Sequence, residues 1–148
     1  MTTANLFTWD KLHSKIPGSS YFTWAEALWL PQVSAFANPS IEQQMNIMKL
    51  ATALEPVRKH YNRPITVTSW LRPDTYNKMI GGATFSFHKS GLAIDFIIPG
   101  LNTQTIKHEL YQNKALWPYR GELDVVERIH LDLGGNTWFN GPIQRKTK

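Results

Sequence analysis

Cysteine is wholly absent from the 148 residues. That removes disulfides, thiolate metal sites and cysteine nucleophiles together, so any metal held by this chain must rest on histidine and carboxylate ligands. Long apolar runs are missing too. Nothing approaches the ~20 apolar residues of a membrane span, and Met1 to Ser14, which includes Asp10, lacks the apolar centre of a secretory signal. The expectation is a protein made in a cytosol, with no membrane insertion. Acidic residues are the minority, 11 against 16 lysines and arginines, giving a net charge of +5 and a pI near 9.6. Such a balance favours an anionic partner, whether nucleic acid, a membrane surface or the polymers of a bacterial wall. No basic stretch has the spacing of a nucleic-acid motif, so nucleic acid is not expected. The terminal Arg145-Lys146-Thr147-Lys148 belongs to a basic tail over 142–148, which solubility explains as well as binding does. Repeats, low-complexity runs and linkers are absent. At 42% hydrophobic content the chain is expected to be one domain over 1–148, able to bury a core unaided, and a monomer.

What is present reads as a series of short elements. Residues 1–20 have scattered apolar positions and end in Pro17-Gly18, a partly docked arm. Thr23-Trp24-Ala25-Glu26 is a capping box, predicting a helix to about Leu30 before Pro31 stops it. Ser40-Ile41-Glu42-Gln43 repeats the device at the head of the main helix, whose apolar face runs through Ile47, Leu50, Ala51, Leu54, Val57 and Tyr61. Pro56 should kink or divide it. Ile65 to Ser69 alternates as a strand, Pro73 opens a short helix, and Thr103 caps another to about Gln112. Tyr119 to Glu122 is expected to turn, with strands at about Leu123 to Val126 and Ile129 to Leu133. The fold class is α+β, helices packed on a small, mainly antiparallel sheet.

The chemistry concentrates in two stretches. In Ser86-Phe87-His88-Lys89-Ser90-Gly91-Leu92-Ala93-Ile94-Asp95, a histidine and a carboxylate lie seven positions apart, across a glycine and at the entry to an apolar run. If Gly91 adopts a backbone geometry that other residues resist, His88 can fold back beside Asp95. In Glu127-Arg128-Ile129-His130-Leu131-Asp132 a second histidine follows a glutamate by three. Two imidazoles and one carboxylate, His88, Asp95 and His130, make a three-ligand zinc site with a fourth position open, the arrangement of catalytic zinc. Glu127 is then the spare base. Strand parity puts His130 and Asp132 on one face, so Glu127 reaches it only through a bend. Asp132 is the runner-up base, or a group that orients His130 from behind.

Both stretches resemble the zinc peptidoglycan peptidases grouped as D-Ala-D-Ala carboxypeptidases and L-alanyl-D-glutamate peptidases, with lysostaphin and the Hedgehog signalling domain as more distant relatives. The shared pattern is S-x-H-x-x-G-x-A-x-D, then an acid, two residues and a histidine. Ser86, His88, Gly91, Ala93, Asp95, Glu127 and His130 occupy all seven fixed positions. The likeness extends from Tyr21 through Thr68-Ser69-Trp70-Leu71-Arg72-Pro73 and Gly81-Gly82-Ala83 to about Gly134. It implies one zinc on the open face of a sheet and hydrolysis of a stem-peptide bond of bacterial peptidoglycan. It also implies Glu127 as general base, Arg72 at the substrate and the developing oxyanion, and Ser86 at the substrate. With neither signal nor anchor, the chain looks like a bacteriophage endolysin, made in the host cytoplasm and released to the wall. The alternatives are a non-enzymatic, Hedgehog-like zinc domain and a virion-associated peptidase used at entry.

Overall fold

The structure is a computed structural model that describes residues 6–139. Its helices and strands alternate as α1 (Trp24–Leu28), β1 (Trp29–Leu30), β2 (Ala35–Phe36), α2 (Ile41–Tyr61), β3 (Thr66–Ser69), α3 (Asp74–Met79), β4 (Ala93–Ile97), α4 (Thr103–Gln112), β5 (Arg120–Gly121) and β6 (Ile129–Asp132). The strands form a two-stranded sheet, β1-β2, and a four-stranded sheet in the order β3-β4-β6-β5, antiparallel throughout. The fold is therefore α+β. No helix among the described residues is long and apolar enough to cross a membrane.

Both capping boxes form, each with the Ser or Thr hydroxyl accepting from the third helical amide while the acid or amide side chain there accepts from the cap. The first helix is shorter than the sequence predicts. It ends at Leu28, and Trp29 and Leu30 instead pair with Phe36 and Ala35. The main helix, by contrast, runs unbroken for 21 residues through Pro56. The missing amide forfeits one bond to the Thr52 carbonyl. Ile47, Leu50, Ala51, Leu54 and Val57, all fully buried, hold the helix against the core on both sides of that defect. The cap of α4 is Asn102, one position earlier than predicted, with its side chain accepting from Thr105 N.

The arm, where described, is docked. Phe7 and Ile16 are buried, and Lys15 bridges to Thr23. Trp70 and Trp117 are core residues. The basic tail lies outside the described residues.

The largest departure concerns the end of the sheet. Arg120–Gly121, expected to turn, is the strand β5, paired with Asp132 and Leu131, and residues 123–128, expected to include a strand, form a loop ending in a bend. Lys107 decides this. It projects from α4 with no exposed surface and donates to the Asp124 carboxylate (2.6 Å), the Asp124 carbonyl (3.0 Å) and the Val126 carbonyl (2.6 Å). A buried ammonium must find acceptors, and here the backbone of 124–126 supplies them in place of a strand ladder.

Candidate metal centre and active site

Sheet register builds the site. Asp95 and His130 are direct partners across β4 and β6, and Ala93 faces Asp132 beside them. Directly opposed residues share a face, so one side of the sheet presents Asp95, His130 and Asp132 around the small Ala93. Arg120, opposite Asp132, and Glu122, whose amide donates to the His130 carbonyl, extend that polar face.

His88 comes from outside the sheet. It lies in a 3-10 turn, Phe87–Ser90, opened by Ser86, whose hydroxyl accepts from His88 N, and closed by Gly91 at φ 85°. A side chain at Gly91 would strain that left-handed backbone and press on Ile47 and the Gln43 carbonyl. The turn is stapled to the chain leaving β3. Arg72 N donates to the His88 carbonyl (2.9 Å), Trp70 Nε1 donates to the Gly91 carbonyl (3.1 Å), and His88 Nδ1 stands 2.7 Å from the Trp70 carbonyl.

A carbonyl can only accept, so Nδ1 of His88 carries the proton and Nε2 keeps its lone pair. Nε2 is buried 3.3 Å from Asp95 Oδ1 and makes no hydrogen bond. On the other side, His130 Nε2 meets Asp132 Oδ2 at 2.7 Å, and Nδ1 points to Asp95 Oδ1 at 2.8 Å. Ligand atoms of His88, Asp95 and His130 all fall within 4.8 Å of one another. In a tetrahedral zinc site with bonds of ~2.1 Å, ligand atoms stand roughly 3.4 Å apart, so the set fits a single ion with small adjustment. The orphaned Nε2 is the observation that favours it, since a buried polar atom without a partner is uncommon and a cation would satisfy it.

The electrostatics agree. Burial above all, with help from Arg72 and His130 and against Asp95, holds the His88 imidazole down at about 4, neutral and ready to bind. Burial opposes charge on His130 too, but hydrogen bonds to Asp132 and Asp95 win and its imidazole is raised. Asp95 sits well below the usual carboxylate range. Burial works against its charge, and the two histidines outweigh burial. In effect a proton on His130 occupies the place of a cation.

The other expected site residues fall as follows. Arg72 is buried, with Nη2 on Asp95 Oδ2 (2.9 Å) and Nε on Ser69 Oγ (2.8 Å). It forms no ion pair with Asp74, which takes Lys89 instead at 2.7 Å. Arg72 and Ser86 both border a cavity of about 330 Å³ that also exposes His88, His130, Arg120, Glu122 and Asp132. Asp132 stands behind His130, with Oδ1 accepting from Arg120 Nε (2.8 Å) and Gly134 N (2.9 Å). Glu127 is not brought to the cavity. It is exposed on the bend 125–128 beside the exposed Val125 and Val126, while its neighbour Arg128 turns inward to Asp124 and Glu122. Among the described residues, the glutamate that lines the cavity with His130 is Glu122, 2% exposed and held by Arg128 Nη2 at 3.0 Å.

Glu122, Arg120 and Arg128 escaped the sequence reading because no motif spacing marks them. The available signal was parity with Asp132, had the pairing of β5 been known. A second network backs the first: Lys107 to Asp124, Asp124 to Arg128, and Arg128 Nε to within 3.7 Å of Asp95 Oδ1. Against the cost of burial, contacts with Glu122, Lys107 and Arg128 hold Asp124 at about 2.

Two imidazoles and a carboxylate converging at an accessible cavity, on an α+β scaffold with no thiolate to compete, describe a zinc hydrolase centre. The family is narrower: the peptidase M15 profile matches residues 22–132, and the chain belongs to that family of zinc-dependent peptidases. The matched span contains His88, Asp95, His130 and Asp132 together with Arg72, Arg120 and Glu122. No curated protein matches the chain.

Proposed function

We propose that this peptidase hydrolyses a peptide bond in the stem peptide of bacterial peptidoglycan, as a lytic enzyme of the bacteriophage endolysin type that is released from the host cytoplasm to the wall. The observation behind the catalytic reading is the convergence of His88, Asp95 and His130, whose ligand atoms lie within 4.8 Å of one another beside the cavity, with His88 Nε2 buried and unpartnered among the described residues. Family membership supports a peptide substrate, and the net charge of +5 suits an anionic wall.

His88, Asp95 and His130 would hold the zinc, which would supply Lewis-acid chemistry, polarising a carbonyl and lowering the pKa of a water towards ~7. The chain's own residues do the rest. The Trp70 carbonyl and Asp132 fix the tautomers and ring planes of the two histidines. Arg72, bordering the cavity, places a permanent positive charge where a tetrahedral oxyanion develops. Ser86 offers a hydroxyl to the bound peptide. Glu122 is the proton acceptor and returns the proton to the leaving amine, because it is the glutamate that the fold puts in the cavity. Glu127 is the competing assignment, favoured by its spacing from His130 and opposed by its exposure on the bend.

The test is digestion of purified peptidoglycan with products identified by mass. New amino groups without new reducing sugar ends are expected, and the products name the bond cut. Failure to release any amino group from walls or soluble stem peptides overturns the reading and favours a binding domain that retains metal without turnover.

A further inference from the structure

Among the described residues of the cavity wall, Arg120 is a cationic side chain that combines partial exposure with unused donors. Its side chain is 25% exposed. Nε and Nη2 hold the two oxygens of Asp132, at 2.8 and 3.3 Å. A guanidinium has five N–H groups, and the other three make no hydrogen bond to any described residue. The group is also fixed in its plane. Its central carbon stands 5.0 Å from the ring centroids of both Phe87 and Phe139, contacts that restrict the rotational freedom an exposed arginine would otherwise lose on binding.

Position gives this donor edge a meaning. Asp132 connects Arg120 to His130 through two hydrogen bonds, so the guanidinium lies beside the metal ligands at a remove of order two residues of extended peptide, ~7 Å. Charge points the same way. Arg72, Arg120, Arg128 and Lys107 stand against Asp95, Glu122, Asp124 and Asp132 in the linked network. A divalent cation added to that balance would leave the cavity positive, and an anionic ligand would reduce that excess.

We propose that Arg120 is a specificity-determining residue that binds a free carboxylate of the substrate within one or two residues of the bond cut, so that the enzyme selects peptides bearing that carboxylate over their amidated forms. This rests on the peptidase reading above, and it names the chemical feature that this site selects. Planar, two-donor recognition suits a carboxylate, and the aromatic walls partly desolvate the pair.

The experiment uses the full zinc-loaded chain and two probes, a synthetic stem pentapeptide with all carboxyls free and the same peptide fully amidated. Wild type should prefer the free acid by about 10- to 100-fold in kcat/KM, the range of one charge-assisted hydrogen-bond pair. Arg120→Gln should bring the ratio close to one, and Arg120→Lys, which keeps charge but not the fork, should fall between. The ratio is taken on one protein preparation, so a variant of low overall activity still reports it. Calorimetric titration of both peptides supplies the same comparison without turnover. Equal handling of the two peptides by wild type, or an undiminished preference in Arg120→Gln, overturns the proposal. If neither peptide is cut but the acid binds more tightly in an Arg120-dependent way, the carboxylate site stands and the peptidase reading falls. If both are cut alike, the reverse holds.

Discussion

Asp95 Oδ1 stands 2.8 Å from His130 Nδ1 because the two residues are opposite one another across β4 and β6, 35 positions apart in the chain. His88 joins them only through the turn that Gly91 closes, bringing its Nε2 to 3.3 Å from the same oxygen. One oxygen thus lies close to both imidazoles, and three elements of the fold would hold an ion placed there.

One zinc per chain should therefore copurify with the protein. Elemental analysis checks the stoichiometry, and chelation should abolish peptidase activity that zinc restores. His88→Ala should lose both metal and thermal stability, since binding energy is coupled to folding. A metal-free preparation with full activity is the contrary result.

Metal binding near pH 6 should release about one proton, not two. His88, held down at about 4 by burial, is already neutral there. His130 is raised above its ordinary ~6.5 by Asp132 and Asp95 and still carries its proton, which the ion must displace. Zinc affinity should accordingly weaken as pH falls through that range. Calorimetry in buffers of different ionisation enthalpy counts the protons; a value near two would mean that burial does not hold His88 neutral.

The two glutamates are separable. Glu122→Gln should keep zinc while kcat falls on the order of 10²–10⁴, the usual contribution of a positioned acid or base, and should lower thermal stability as well because it removes one charge of the buried pair with Arg128. Glu127→Gln, changing an exposed residue, should cost less than about threefold. Metal content and kcat on both variants decide, and the roles are exchanged if Glu127→Gln is the inactive, zinc-replete protein. Asp132→Asn should lower metal affinity as well as rate, about 10- to 100-fold, as expected of a group that orients a ligand.

Lys107→Met should be strongly destabilising, by about 3–5 kcal/mol, because it breaks a buried ion pair, leaving Asp124 to Arg128 alone and the carbonyls of Asp124 and Val126 without their donor. Denaturant unfolding measures it. A loss under about 1 kcal/mol would show that the loop 122–128 is held by other contacts.

Gly91→Ala should destabilise by about 1–3 kcal/mol through its left-handed backbone, and should weaken zinc binding by shifting His88. Equal metal affinity in the two proteins would disconnect the turn from the site.

Much of this protein was legible in its residues. Capping boxes are local, and Thr23 with Glu26 and Ser40 with Gln43 mark the helix starts that the structure has. Spacing across Gly91 and alternation through Ile129 to Leu133 singled out His88, Asp95 and His130, which the fold brings together. Helix ends were less legible. Leu28 stops α1 because Trp29 and Leu30 find partners in β2, and Pro56 is absorbed because core contacts on both sides outweigh one lost hydrogen bond. Both outcomes depend on neighbours distant in sequence.

The sequence by itself determined the donor chemistry: with no cysteine, a metal could rest only on imidazole and carboxylate, and the pattern around Gly91 chose which. Tertiary structure alone decided which glutamate and which arginines face the cavity. β5 is two residues long, too short for any periodicity to announce it. Its register against β6 puts Arg120 and Glu122 on the polar face, while Lys107, reaching from another element, draws 124–126 into a loop and leaves Glu127 outside. Strand pairing and the burial of a charge are set by partners remote in the chain, so no local pattern could contain that choice.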